Sequence, residues 1–463
     1  MKIFEQILKN INTFPNEIAF MNEKEPVYFE DICSEVKRVG NYFKKELKLP
    51  IGSRIGISSS NALFCICCLL GALLNGYDVC LIHSDYRECN IREMITSKQI
   101  EVYVGGKLSN NSIDYSTLFS YRDEDADIGA GNIGSLFIYS SGTTKDSKLI
   151  SFNENCALNF LSYFNNEIEQ RNISNLLLCS SVAFSLGLIN VLYALMYRKP
   201  LVLSNKEDYF KNPFFLYSLI KKHSINALMV PTPLFLVITS NEFMLNQLND
   251  SIRLFFVAGD RLFLNEDAIS FFKEHHIDVI NGYGTTETFG ISSFLIDLDG
   301  INTDKEIPIG TPIPGVQYTI DDFGLIALHF DFPNILTKTN KDQFVPGDIC
   351  KIDEAGNLIL LGRADDIVKI NGYKVNLKEL ENDIKRINLS IREVACLQYL
   401  DNEKNKQIGA VVVGDVSKET ITKEMVRVLP NFMIPSKVIV VNELPYNDSF
   451  KRDNAKLREL LYE

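Results

Sequence analysis

Short apolar runs that read as buried strands alternate with helical patterns from residue 41 to residue 280. That alternation confines the chain to open, mostly parallel sheets with helices on both faces. Asn41–Leu47 reads as helix, Arg54–Ser58 as strand, Ala62–Leu74 as helix and Asp78–Ile82 as strand. Ile91–Ser97 and Val102–Gly105 repeat the scheme, and further strands are expected at Asn175–Cys179, Pro200–Leu203, Ala227–Val230, Leu254–Val257 and Asp278–Ile280. Ligands of such sheets bind at loops beyond the carboxyl ends of strands.

At 463 residues the chain is too long for one core, so two or more domains are expected. From Ile307 onward short strand-like segments are separated by Gly, Pro and Asp, and after Asp365 the pattern becomes compact α+β. A boundary is expected at Gly362–Asp366, with a large part over 1–363 and a small one over 364–463. In the small part helices are expected at Leu377–Arg386 and Lys418–Val428. Strands are expected at Val394–Tyr399, Gly409–Val413 and Lys437–Val441.

The net charge of −12 argues against nucleic acid and against an anionic membrane as main partner. Ala62–Leu74 is the most apolar run, and it falls short of the roughly 20 residues that span a bilayer. The N-terminus mixes Lys and Glu with apolar residues and lacks a cleavage site. The ten cysteines match neither a zinc ligand set nor a disulfide framework and read as small core hydrophobes in a reducing compartment. A cytoplasmic protein is the expectation.

The segment Ile138–Ile150 carries the strongest chemical signal. An apolar run ends in Ser140, Ser141, Gly142, Thr143 and Thr144, and Lys148 follows. Hydroxyls, convergent backbone N–H groups and an amine suit a polyanion such as a nucleotide triphosphate. Ser147 stands where a Walker A loop needs Gly, and no kinase motif is present.

Six segments, in order, resemble the motifs of the adenylate-forming ligases, the superfamily of acyl-CoA synthetases, aryl-acid ligases, luciferases and peptide-synthetase adenylation domains. They are Ser140–Leu149 (SSGTTKDSKL), Asn281–Thr288 (NGYGTTET), Phe344–Asp348 (FVPGD), Gly362–Val375 (GRADDIVKINGYKV), Leu429–Pro435 (LPNFMIP) and Leu444–Lys451 (LPYNDSFK). The resemblance covers nearly the whole chain. It implies a large domain of doubly wound sheets with a distorted β-barrel-like part and a small α+β lid domain. It implies formation of an acyl-AMP from ATP and a carboxylic acid with release of pyrophosphate. Transfer to a thiol of CoA or phosphopantetheine would follow, any carrier protein being supplied in trans.

The resemblance also implies residue roles. Ser140, Ser141, Gly142, Thr143, Thr144 and Lys148 would hold the β- and γ-phosphates. Asn281, Gly282 and Tyr283 would lie against adenine, and Asp348 and Arg363 would bind the ribose. Thr286 would reach the α-phosphate and Glu287 would bind Mg²⁺. Asp365 would be the hinge, and Lys451 would neutralise charge between the carboxylate and the α-phosphate. The acyl pocket would be lined by Phe184, Ser185, Ile189, Gly282, Gly290 and Ile291. Amino-acid-activating relatives carry Asp where Ser185 stands, so the expected acid is apolar, aryl or aliphatic, with Gly282 and Gly290 leaving depth for it.

Lys145, Ser147 and Leu149 replace the Gly, Pro and Gly usual in the phosphate loop, Pro346 replaces Thr, and Phe450 replaces the Gly before the lysine. These departures keep a second reading open: a degenerate nucleotide- or acyl-binding sensor or scaffold.

Overall fold

The computed structural model describes residues 2–22, 25–84, 86, 88–106, 108, 112–121, 132–139, 148–204, 209, 212–248, 251–301, 306–333, 343–370, 373–401, 405–446 and 452–462. A six-stranded sheet is built around β1 (Arg54–Ile57), β2 (Asp78–Leu81) and β3 (Leu136–Tyr139), paired in parallel in that order. Leu149–Ser151 closes one edge antiparallel to β3. Val102–Val104 and Ser112–Ile113 extend the other edge. The apolar helix Ala62–Leu73 follows β1 and is capped by the Asn61 side chain, which accepts from Phe64 N–H at 3.1 Å. It is buried on nearly every face, which explains its lack of polar residues.

The second sheet has nine strands. Its parallel centre runs through Leu176–Leu178, Ala227–Pro231, β4 (Leu254–Ala258) and β5 (Asp278–Thr285). The antiparallel strand β6 (Phe289–Leu295) then turns back along β5. Helices α1 (Glu154–Gln170) and α2 (Ser185–Tyr197) pack into the same core as the inner faces of both sheets. The strand expected at Asp278–Ile280 runs on to Thr285, because hairpin pairing with β6 carries the small residues Gly282 and Gly284 along as strand.

Beyond this sheet lie two antiparallel hairpins, Val316–Ile320 with Ile326–Phe330, and β7 (Asp348–Ile352) with β8 (Leu358–Arg363). Single bridges, Leu325 to Ile349 and Leu328 to Phe344, join them, and no closed barrel forms among the described residues.

The last part begins with Ile367–Ile370 paired to Tyr373–Asn376. Helix α3 (Leu377–Ile387) leads into a sheet of β9 (Ile391–Leu400), β10 (Lys406–Gly414) and β11 (Lys437–Val441). Lys418–Val428 and α4 (Asn454–Tyr462) are also helical, and they pack with α3 around this sheet. The residues of these last two clusters run from Val368 to Leu461, while the main core ends at Leu358. Among the described residues no helix is long and apolar enough to cross a membrane.

Candidate functional site

Strand β3 ends at Tyr139, and Leu149 is its register partner on the returning strand. The expected phosphate-binding residues Ser140, Ser141, Gly142, Thr143 and Thr144 lie outside the described residues, between these two fixed points. Lys148 is exposed at the return, next to Leu149. The segment therefore starts at the carboxyl end of a central parallel strand, where open α/β sheets place their ligands.

The β5–β6 hairpin gathers the next group. Its turn, Thr286–Thr288, is tied from within: Thr285 N–H donates to Thr288 Oγ1 at 3.1 Å, and Thr288 N–H donates to Thr285 O at 3.3 Å. Thr288 is fully buried, and Phe289 follows at φ +57°, anchored by its ring against Phe152. This left-handed conformation is uncommon for a bulky residue and fixes the turn's direction. Thr286 and Glu287 are left partly exposed at the turn. The Glu287 carboxylate has no hydrogen-bond or ion-pair partner among the described residues. Thr288 closes the Asn281–Thr288 motif in sequence but was given no role there, because a Thr between a charged residue and an apolar run carries no mark of its own.

Asn281 is 1% exposed. Its Nδ2 donates to Pro308 O at 2.9 Å and Ile307 O at 3.3 Å, while its Oδ1 has no partner among the described residues. A buried acceptor left unmade costs about 1–3 kcal/mol, so it marks a place where a donor belongs. Tyr283 is two residues on, with a buried ring and a phenol that donates to Asp348 Oδ2. Burial first, and the Asp348 charge second, push the phenol well above its ordinary pKa. Arg363 Nη1 donates to the other oxygen, Asp348 Oδ1, at 3.0 Å. Gly347, at φ +85°, makes the turn that delivers Asp348, and a Cβ there would stand 3.2 Å from the Arg363 guanidinium. The structure thus unites Tyr283, Asp348 and Arg363 from three separate motifs.

Asp365 falls in a 3-10 turn, Ala364–Asp366, directly after β8. Lys451 lies outside the described residues, while its neighbour Arg452 is described and paired with Glu381.

The proposed acyl-pocket residues divide. Phe184 occupies the N-cap position of α2, and Ser185 opens the helix. Ile189 and Ile291 are both buried in the main core. The expectation of depth beside Gly282 and Gly290 needs correction. A Cβ on Gly282 would come within 2.5 Å of the Phe256 ring, and one on Gly290 within 2.2 Å of the Phe160 ring. The room that these glycines leave is taken by two core aromatics, which pack on each other at 5.6 Å. The sequence also held no histidine near Phe184, yet His83 from the carboxyl end of β2 stacks on that ring at 4.5 Å between centroids. Its position just past a parallel strand was the available signal.

Eight of the ten cysteines are buried, Cys33 is half-buried and Cys89 is exposed. Burial pushes the Cys65 thiol up to about 12, in keeping with packing rather than reactivity.

Comparison with known proteins agrees with this layout. The family described as AMP-binding enzyme matches residues 7–325. Gramicidin S synthase 2 from Brevibacillus brevis is 23% identical over 99% of this chain, which spans only 11% of that relative's length. D-alanine–D-alanyl carrier protein ligase from Lactococcus lactis is 25% identical over 71% of this chain and 70% of its own length. Among solved structures, ATP-bound MatB from Rhodopseudomonas palustris superposes with a TM-score of 0.81 at 18% identity, covering 100% of both chains. The o-succinylbenzoate coenzyme A synthetase of Bacillus subtilis, in complex with ATP and magnesium ion, gives 0.81 at 17% identity over 99% of both. These likenesses carry the fold.

Proposed function

The chain belongs to the AMP-binding enzyme family, and on that premise we propose that it activates a carboxylic acid with ATP and passes the acyl group to a thiol. One carboxylate oxygen attacks the α-phosphorus, and the bond to the β-phosphate oxygen breaks. The products are acyl-AMP and pyrophosphate. A thiol sulfur then attacks the acyl carbon, its proton goes to base or solvent, and AMP departs.

The observation that carries this reading is the paired arrangement around Asp348 and Asn281. Each Asp348 oxygen already accepts one donor, from Tyr283 or Arg363, and each retains acceptor capacity for a ribose hydroxyl. Asn281 Oδ1 is buried without a donor among the described residues, and the amino group of adenine would supply one. The Tyr283 ring edge is pinned to Asp348, which leaves its face to the base. Arg363, half exposed, completes the ribose side.

Lys148 and the Ser140–Thr144 segment would neutralise the outgoing phosphates, and Thr286 would donate to the α-phosphate. Glu287, partly exposed at a hydrogen-bonded turn and without a partner among the described residues, fits Mg²⁺, a hard cation that takes one or two carboxylates beside phosphate oxygens. When bound, the ion screens the charge that two anions bring together. Lys451 would do the same at the bridging oxygen.

The break between the core that ends at Leu358 and the clusters that begin at Val368 supports a division into 1–363 and 364–463, with Asp365 as hinge. The proposed acid is apolar, aryl or aliphatic. Ser185 offers no charge for an ammonium, Ile189 and Ile291 are apolar, and Phe160 and Phe256 shorten the site. The acceptor is CoA or a carrier protein.

The test is magnesium-dependent pyrophosphate release with benzoate, cinnamate and octanoate, each product checked by mass for the acyl-adenylate. Release with at least one acid is expected. ATP binding without release for any acid in a broad panel would mark a sensor or scaffold instead.

A further inference from the structure

Glu381 is a carboxylate of helix α3 that is 5% exposed, and none of the roles above uses it. Its Oε1 accepts Cys396 N–H at 3.0 Å. Its Oε2 accepts Lys378 Nζ at 3.2 Å and Arg452 Nη1 at 2.7 Å. A buried charge is tolerated when it is paired and hydrogen-bonded, and such pairs serve position more than stability.

Arg452 directly follows Lys451 in the chain. Its backbone forms a bridge with Tyr446, and Asp453 N–H donates to Pro445 O at 2.8 Å. Tyr446 is fixed in turn by its phenol, which donates to Glu393 at 2.6 Å. Beyond Asp453, α4 buries Leu457 and Leu461 against β9 and β10. The two sides of the Lys451 segment are therefore clamped together, and the Arg452 side is pinned to α3 by an ion pair. The neighbouring cations are also accounted for: Arg452 is committed to Glu381, and Lys456 sits on α4 beside Asp453 at 3.7 Å.

We propose that the Arg452–Glu381 pair is a positioning device for adenylation, fixing the return end of the segment that presents Lys451. The inference rests on the reading of Lys451 given above. A planar guanidinium suits the task, because it holds direction where a single ammonium would swivel.

The test uses ATP–pyrophosphate exchange, with whichever of benzoate, cinnamate and octanoate supports it best, and four variants of the full chain. Arg452→Met and Glu381→Gln should each lower kcat about ten-fold or more while the KM values for ATP and acid stay within about two-fold, as expected for a group felt only in the transition state. Arg452→Lys, which keeps the charge but loses the planar fork, should recover only part of the rate. Lys451→Ala/Arg452→Met should be no slower than Lys451→Ala alone, because residues that act as a unit are not additive. Additive loss in the double variant, or a fall in rate matched by a loss of folded protein in thermal melts, would make the pair merely structural and overturn the proposal. Wild-type kcat in Arg452→Met would do so too. A Lys451→Ala enzyme as fast as wild type would instead remove the reading of Lys451 itself.

Discussion

Asp348 and Arg363 are register partners across the β7–β8 hairpin, and the guanidinium Nη1 rests 3.0 Å from the carboxylate Oδ1. Tyr283, from another sheet, holds the second oxygen. Asp348→Ala should therefore raise the KM for ATP by about ten-fold or more, since hydrogen bonds to charged groups contribute about 1.5–3 kcal/mol. The KM for the acid should barely move. Steady-state kinetics with each substrate varied in turn measures this, and equal changes in both would point to general misfolding.

The Tyr283 phenol gives a pH signature. Its pKa in the folded protein is raised above the ordinary value of 10.0. The protonated donor therefore stabilises the fold fully below about pH 10, and that contribution fades as pH rises through the higher folded value. The difference in melting temperature between wild type and Tyr283→Phe should be constant from neutral pH to about pH 9 and narrow above about pH 10. A gap that widens with pH would reverse the sign of the argument.

Much of the fold was legible because it follows from periodicity. The Lys418–Val428 helix and the Lys437–Val441 strand match their expected bounds. Asp278–Thr285 was undercounted because Gly282 and Gly284 have weak strand preference alone and gain it from pairing with β6. Asp348 and Arg363 were legible as motif residues, while the bond from Tyr283 to Asp348 depends on tertiary placement. His83 against Phe184, and Phe160 and Phe256 beneath the glycines, were hidden for the same reason: each contact joins segments remote in sequence.

Those two rings bear on the size of the acid. Phe160→Ala should open space beside Gly290 and shift preference toward longer or larger acids, read as the ratio of kcat/KM for octanoate to that for benzoate. Gly282→Ala should instead destabilise the protein by about 1–3 kcal/mol through overpacking. Its Cβ would meet the Phe256 ring at 2.5 Å. Phe256→Leu in the same chain should restore part of the loss, as followed by denaturant unfolding.

Ser185 opens α2 beside Phe184, with Ile189 one turn further along. Apolar acids should support exchange better than any proteinogenic amino acid, because no carboxylate has been placed at Ser185 to pair with an ammonium. Ser185→Asp should weaken use of apolar acids, since an unpaired buried charge would face them. Robust exchange with an amino acid and none with apolar acids would overturn this view of the pocket and leave the adenylation chemistry standing.

Acyl activation assisted by Lys451 is tested most directly by acid-dependent ATP–pyrophosphate exchange. Wild-type protein should exchange label only when Mg²⁺ and an accepted acid are both present. Lys451→Ala should lose on the order of a hundred-fold or more in that rate, the scale of removing one donor from developing transition-state charge. Exchange that needs no acid, or a Lys451→Ala rate equal to wild type, would contradict the account.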